Sequence, residues 1–207
     1  MLLSLVESCV TPRIQTVWKA ETPLPYRYNK ILVVAIVPAG NDSLQSAVER
    51  QTVQKLQSYG YDAVSYLDGF SIYEIGQLTQ EAAYFTLCNK GIDCILTLAK
   101  CDPASTVPLK KGAVVKYPAS FYYDHIWDYH NLANDKTSEK RNNMVWESIL
   151  FDLNSLEQQS VIQVDRINSL NKANETGWVS KNVIARMLKE KIIDSTNKKN
   201  QLKLKSF

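Results

Sequence analysis

The sequence lacks most of the features that assign a protein to a function class. Among its 207 residues there is no run of about 20 apolar side chains, the length that a membrane-spanning helix requires. It contains no Gly-x-Gly-x-x-Gly, Walker A or Gly-x-Ser-x-Gly motif, so no motif places it among nucleotide-binding proteins or serine hydrolases. Internal repeats and low-complexity tracts are also missing, which excludes solenoid and fibrous architectures.

Histidine and cysteine are scarce. The two histidines and four cysteines include no Cys-x-x-Cys pair, so the sequence predicts neither a metal site nor a cofactor. Cys94 lies in a predicted buried strand and is interpreted as a small core residue. Cys88 and Cys101 flank that strand, and they either form a disulfide in an oxidising compartment or remain thiols.

A strong excess of one charge is absent as well. The formal net charge is +3, and the hydrophobic (45%) and charged (22%) fractions are ordinary for a globular protein. Basic patches interleaved with aromatic residues are missing, so nucleic acid is not an expected partner. Residues 181–207 nevertheless hold eight lysines and arginines against two acidic residues. The basic tail over 195–207 either contacts anionic lipid or an acidic polymer, or is a solvated chain end.

The most informative short stretch is Met1-Leu-Leu-Ser-Leu-Val-Glu-Ser-Cys9. An apolar run followed by a small residue and a cysteine is typical of a bacterial lipoprotein signal just before its cleavage site. The run here is short and has no basic start, as expected if Met1 is internal to a longer reading frame. We therefore expect Cys9 to be lipidated and to anchor the protein to a membrane. The alternative is a chance thiol in a disordered arm.

The following segment has the composition of a tether. Residues 10–28 contain prolines at positions 12, 23 and 25 and show no clear hydrophobic period. The length of the chain suits one compact domain. The sequence thus divides into a truncated lipoprotein signal and tether over 1–28, a folded domain over 29–194 and the basic tail over 195–207.

The first half of the folded domain has the pattern of an α/β protein. Residues 30–37 are a continuous apolar run, typical of a central strand that is covered on both faces. Asp42 and Gln45 have the spacing of a capping box, which predicts the start of a helix. The pattern then predicts a helix over residues 42–60, a strand over 61–66, a helix that begins at Ile72 or Leu78 and ends at Asn89, and a strand over 92–98. This β-α-β-α-β order implies parallel strands with right-handed crossovers.

The second half has a different pattern. Residues 102–141 are long, irregular and polar apart from one aromatic patch. Residues 143–153 and 160–168 predict a β-hairpin, and a last helix is predicted over 180–193. The sequence therefore predicts a single α/β domain of two or three layers with a mixed sheet, in which a β-α-β-α-β unit precedes a β-hairpin and a C-terminal helix.

The aromatic patch is the predicted partner-binding surface. Six aromatic residues lie within thirteen positions: Tyr117, Phe121, Tyr122, Tyr123, Trp127 and Tyr129. Tyrosine and tryptophan are enriched at interaction surfaces because they bury a large area and keep a polar group. The alternative is a segment that folds back over the sheet. The acidic and histidine residues between them are interpreted as solvated or packed side chains, so no metal is predicted there.

Six short stretches carry a resemblance to known proteins. They are Cys9–Trp18, 31–37, the stretch 49–64 that ends in Tyr-Gly-Tyr-Asp-Ala-Val, Gly-Ile-Asp-Cys-Ile-Leu at 91–96, the aromatic segment 117–130, and Ile-Leu-Phe-Asp-Leu at 149–153 with Glu147 two positions earlier. Together they resemble a group of bacterial envelope lipoproteins of undefined function, with a domain akin to the TolB N-terminal and CsgG-like α/β folds. The resemblance implies an envelope location and a protein-binding fold, and it supplies no catalytic residues.

Three hypotheses for function follow. The first, which we favour, is a membrane-anchored envelope lipoprotein facing the periplasm or the outside, whose domain is a non-catalytic interaction or assembly module for an unidentified envelope protein. The second is a small-molecule-binding or enzymatic domain that uses the loops after Val37, Leu67 and Leu98, because open α/β sheets bind ligands at the carboxyl ends of their strands. The third is a cytosolic protein with a fortuitous N-terminus.

Overall fold

The fold is α/β, as predicted. The computed structural model describes residues 12–21, 28–38, 40–70, 78–101, 145–165 and 172–194. Its strands are β1 (Arg13–Lys19), β2 (Lys30–Ile36), β3 (Asp62–Ser65), β4 (Cys94–Cys101), β5 (Val145–Asp152) and β6 (Glu157–Asp165). Its helices are α1 (Asp42–Ser58), α2 (Tyr66–Gly69), α3 (Gln80–Asn89) and α4 (Lys172–Lys189).

The six strands form one mixed sheet in the order β1-β6-β5-β4-β2-β3. The predicted β-α-β-α-β unit is confirmed, since β2 lies between β3 and β4 and is parallel to both. The predicted hairpin is β5 and β6, which are antiparallel to each other, and β5 is antiparallel to β4. We call the end of the sheet at which β2, β4 and β6 finish and β1 and β5 begin the carboxyl edge, and the opposite end the amino edge.

The first strand was not predicted from the sequence. Residues 13–19 lie within the predicted tether, but they pair antiparallel with β6 from Arg13 opposite Asp165 to Lys19 opposite Ser160. The register shifts between Thr16 and Trp18. This β-bulge breaks the alternation of inward and outward side chains, so the strand shows no regular hydrophobic period in the sequence. The neighbouring prolines flank β1 and do not interrupt it.

Two helix starts also differ from the prediction. Helix α1 begins at Asp42, but the cap position is Asn41 and no side chain caps the helix, so the predicted capping box is wrong. Helix α4 begins at Lys172, eight residues before the predicted start. Its first turns contain Glu175 and Thr176, which are buried although they are polar. A prediction based on the spacing of apolar residues does not detect helical turns whose buried residues are polar.

The core lies on both faces of the sheet, so the domain has three layers. On the first face, α1 and α4 pack side by side over the sheet around Val48, Leu56, Val183 and Met187. On the second face, Leu87 of α3 joins a separate apolar cluster that includes strand residues of β2, β4, β5 and β6. None of the helices in the described ranges is long and apolar enough to cross a bilayer.

Candidate functional site

The predicted functional residues lie outside the described part of the chain. These are the lipidation residue Cys9 and the aromatic residues Tyr117, Phe121, Tyr122, Tyr123, Trp127 and Tyr129. What the structure describes is where these segments join the sheet. Residue 13, at the start of β1, lies at the carboxyl edge, and so do the end of β4 at Cys101 and the start of β5 at Val145. Both predicted functional segments therefore connect to the same edge.

A buried carboxylate lies beside the carboxyl ends of β2 and β3. Glu49, on the inner side of α1, accepts hydrogen bonds from the main-chain N–H groups of Ala35 (2.9 Å) and Leu67 (3.0 Å). It also accepts one from the hydroxyl of Ser65 at 2.6 Å. Burial raises the pKa of Glu49, and these hydrogen bonds oppose the shift. The carboxylate thus satisfies main-chain donors where the pairing of β2 with β3 has ended.

The small-molecule hypothesis places a ligand at the carboxyl ends of the parallel strands, because open α/β sheets bind ligands there. Here the ends of β2 and β3 direct two of their donors at Glu49, a residue of the same chain. Leu98 lies inside β4, which continues to Cys101, so no loop follows it directly.

A second buried polar cluster joins α4 to the carboxyl edge. The Nζ of Lys100, near the end of β4, lies 2.6 Å from Oε1 of Glu175 in the first turns of α4. The indole Nε1 of Trp146 donates to the same oxygen at 2.7 Å. Nζ of Lys100 also lies 5.7 Å from the ring centroid of Trp146, within range of a cation–π contact. A single carboxylate therefore joins two strands to one helix.

Another buried acid lies on the second face of the sheet. Glu147 of β5 stands opposite Gln163 of β6, whose Nε2 donates to Oε2 of Glu147 at 2.6 Å. Burial raises the pKa of Glu147 to about 7, although this hydrogen bond lowers it in part. The next strand places Gln15 opposite Gln163, so a polar row crosses three strands beside the apolar cluster of this face.

The structure describes the side chains of two cysteines, Cys94 and Cys88. Cys94 is buried, and desolvation raises the pKa of its thiol. The nearby negative charges of Asp152 and Asp93 raise this pKa further. Cys88 is an exposed free thiol, and the side chain of Cys101 lies outside the described residues. Within the described ranges, no group of three or more histidine, cysteine, aspartate or glutamate side chains is arranged to hold a metal ion.

The sequence analysis did not identify Glu49, Glu147 or Glu175 as buried acids. Glu49 follows Val48 on a helix of ordinary amphipathic pattern, and Glu147 lies in a strand that is buried throughout. The one signal in the sequence is position, because Glu147 interrupts an apolar strand. Such an interruption is typical of a partnered buried residue, but it does not name the partner.

Comparison with known proteins gives distant similarity only. No protein-family model and no curated protein matches the sequence. Among solved structures, the chain is similar to PelC from Paraburkholderia phytofirmans, a dodecamer, at 12% identity over 86% of this chain and 95% of that one, with a TM-score of 0.40. It is also similar to lipoprotein GNA1162 from Neisseria meningitidis, at 12% identity over 77% of this chain and 98% of that one, with a TM-score of 0.38. Both are bacterial proteins, and the second is a lipoprotein.

Proposed function

We propose that the protein is an envelope lipoprotein, anchored through acylated Cys9, whose α/β domain is a non-catalytic interaction module. The observation that carries the proposal is the sequence Met1–Cys9, in which an apolar run and Ser8 precede a cysteine. The strand β1 begins at Arg13, four residues after Cys9, as a strand of the sheet. An anchor at Cys9 therefore holds the whole domain at the membrane surface, without a long spacer.

Acylation supplies the required affinity. Each CH₂ group of an acyl chain that enters the bilayer contributes about 0.8 kcal/mol, and stable anchoring takes two such chains or one chain with a second signal. A diacylated cysteine meets this requirement by itself. The apolar Met1–Val6 run before Ser8 and Cys9 supplies the recognition sequence for acylation.

The three buried glutamates have structural roles in this proposal. Glu49, Glu147 and Glu175 each have partners on other elements of the fold. Groups that serve a reaction need access to a substrate, and these three are each at most 5% exposed. We interpret them as residues that hold the sheet and helices together.

The proposed partner surface is the aromatic set between β4 and β5. Its members are Tyr117, Phe121, Tyr122, Tyr123, Trp127 and Tyr129. Large aromatic side chains with polar groups account for much of the binding energy at protein interfaces. The partner that we propose is another protein of the envelope, reached from the carboxyl edge of the sheet, where this segment starts and ends.

The proposal is tested on the mature protein purified from its native host. Mass spectrometry of the N-terminal peptide is expected to show a chain that begins at Cys9 and carries acyl groups, and the protein is expected in the membrane fraction. The matched control is Cys9→Ser, which leaves the domain intact and is expected to move the protein to the aqueous fraction. An unmodified N-terminus, or a Cys9→Ser variant that stays in the membrane fraction, contradicts the proposal.

A further inference from the structure

The strand register fixes where the anchored end of the chain lies on the domain. Arg13 at the start of β1 is opposite Asp165 at the end of β6, and Cys101 at the end of β4 is opposite Val145. The chain therefore enters the domain at the carboxyl edge. The other end of β1, Lys19, lies at the amino edge.

The strand β1 is held to the rest of the domain along its length. At the carboxyl edge, Arg186 of α4 donates a hydrogen bond from Nη2 to the main-chain oxygen of Ile14 at 2.8 Å. At the amino edge, Nζ of Lys19 lies 3.4 Å from Oε2 of Glu190. Because β1 is part of the folded sheet, three residues, 10–12, separate Cys9 from the sheet along the sequence.

The lengths of these two pieces exclude an orientation in which the amino edge faces the lipid. Cys9 and Pro12 are three residues apart, so their Cα atoms are at most about 11 Å apart. The seven residues of β1 span about 20 Å. If the amino edge faced the lipid, the start of β1 would stand at least that far from the membrane, beyond the reach of an acylated Cys9 at the headgroup level.

We infer that the carboxyl edge of the sheet faces the lipid bilayer and the amino edge points away from it. This inference rests on the lipid anchor proposed above. It deepens that proposal, because the connection between β4 and β5 starts and ends on the membrane-facing side. A partner that binds the aromatic residues of this connection is then met at the membrane surface.

The test measures the heights of three labels above the membrane. Ser43 is exposed in the first turn of α1, and Ser58 is exposed at its last residue. Asn154 is exposed in the turn between β5 and β6, at the amino edge but on the side of the sheet nearer to β1. Each residue is changed to cysteine in turn, in acylated protein that also carries Cys88→Ser and Cys101→Ser, because Cys94 is buried and acylated Cys9 does not react.

Energy transfer is then measured from a fluorophore on the single thiol to an acceptor on lipid headgroups. The vesicles contain phosphatidylethanolamine and phosphatidylglycerol. Since Ser43 and Ser58 are about 22 Å apart along the helix, we expect roughly twofold more transfer from the Ser43 label. The Asn154 label is expected to resemble the Ser58 label. Unacylated Cys9→Ser protein with the same labels is the control and is expected to show no transfer.

The outcomes separate the orientation from the anchor. Equal transfer from Ser43 and Ser58 in acylated protein means that the domain lies flat, and it overturns the orientation but not the anchor. More transfer from Asn154 than from Ser43 means that the domain rests on its β1 side, with the same consequence. If mass spectrometry finds no acylation of Cys9, the proposed function fails, and the orientation that rests on it fails as well.

Discussion

Arg186 of α4 and Ile14 of β1 are 172 residues apart in the sequence, yet the guanidinium Nη2 donates to the main-chain oxygen of Ile14 at 2.8 Å. The same guanidinium pairs with Glu190 one helical turn further on. The contact reaches an edge strand, which has a partner strand on one side only. A helix side chain thereby satisfies an acceptor at the strand next to the proposed lipid anchor.

We expect Arg186→Met to lower the free energy of unfolding by about 1 to 2 kcal/mol, because a hydrogen bond from a charged donor to a main-chain acceptor is lost. We also expect β1 to be held less firmly against β6. Amide hydrogen exchange is therefore expected to speed up more in β6, the partner of β1, than in β4. Urea unfolding and hydrogen exchange measure the two effects.

The matched control for this variant is Lys181→Met, an exposed position of the same helix. It removes a positive charge without touching β1, and it is expected to leave both measurements unchanged. If the two variants behave alike, the bond to Ile14 contributes nothing to the docking of β1.

Glu175 gives a second prediction. It is buried, and one of its oxygens accepts from both Lys100 (2.6 Å) and Trp146 (2.7 Å). Glu175→Gln leaves the side-chain shape but removes the charge that balances Lys100. We expect a loss of about 3 kcal/mol in the free energy of unfolding, because breaking a buried ion pair leaves one charge without compensation.

A more exposed carboxylate just past the end of α4 serves as the comparison. Glu190 contacts Lys19 at 3.4 Å and Arg186 at 3.3 Å, and its side chain is 26% exposed. Glu190→Gln is expected to cost less than about 1 kcal/mol, since exposed ion pairs are screened by solvent. Equal losses for Glu175→Gln and Glu190→Gln in urea unfolding refute the distinction between the two sites.

These contacts show why the fold was easier to predict than the site. The strand β2 (Lys30–Ile36) was predicted because all its residues after Lys30 are apolar, and such a continuous apolar run indicates a buried strand. The strand β1 was missed because its bulge hides its period and its burial depends on β6 and α4, which follow much later in the chain. Local pattern predicts an element when its neighbours cover it evenly, as they do for β2.

The buried acids depend on distant partners even more strongly. Lys100 and Glu175 are separated by 75 residues, and Trp146 and Glu175 by 29. Nothing in the spacing of these residues indicates that one carboxylate receives both donors. The resemblance of short stretches to envelope lipoproteins implied a binding fold, but it did not supply these side chains either.

Glu147 gives the third prediction, a pH dependence of stability. Its pKa is about 7 in the folded protein, against a reference value of 4.5 for an unperturbed glutamate. At pH values between these two pKa values, the folded state binds more protons than the unfolded state. The stability of the wild type therefore falls as the pH rises through this range. Above about pH 7 the accumulated loss approaches 3 kcal/mol, since each pKa unit is worth about 1.4 kcal/mol.

Glu147→Gln removes the titrating group but keeps an oxygen that accepts the hydrogen bond from Gln163. We expect the variant and the wild type to be similarly stable at about pH 5, and the variant to be more stable by about 2 to 3 kcal/mol at about pH 8. Urea unfolding at both values measures the difference. Glu81→Gln, at an exposed position of α3, is the control and is expected to show no such gain. A stability difference between Glu147→Gln and the wild type that stays constant with pH would show that Glu147 ionises alike in the folded and unfolded chain.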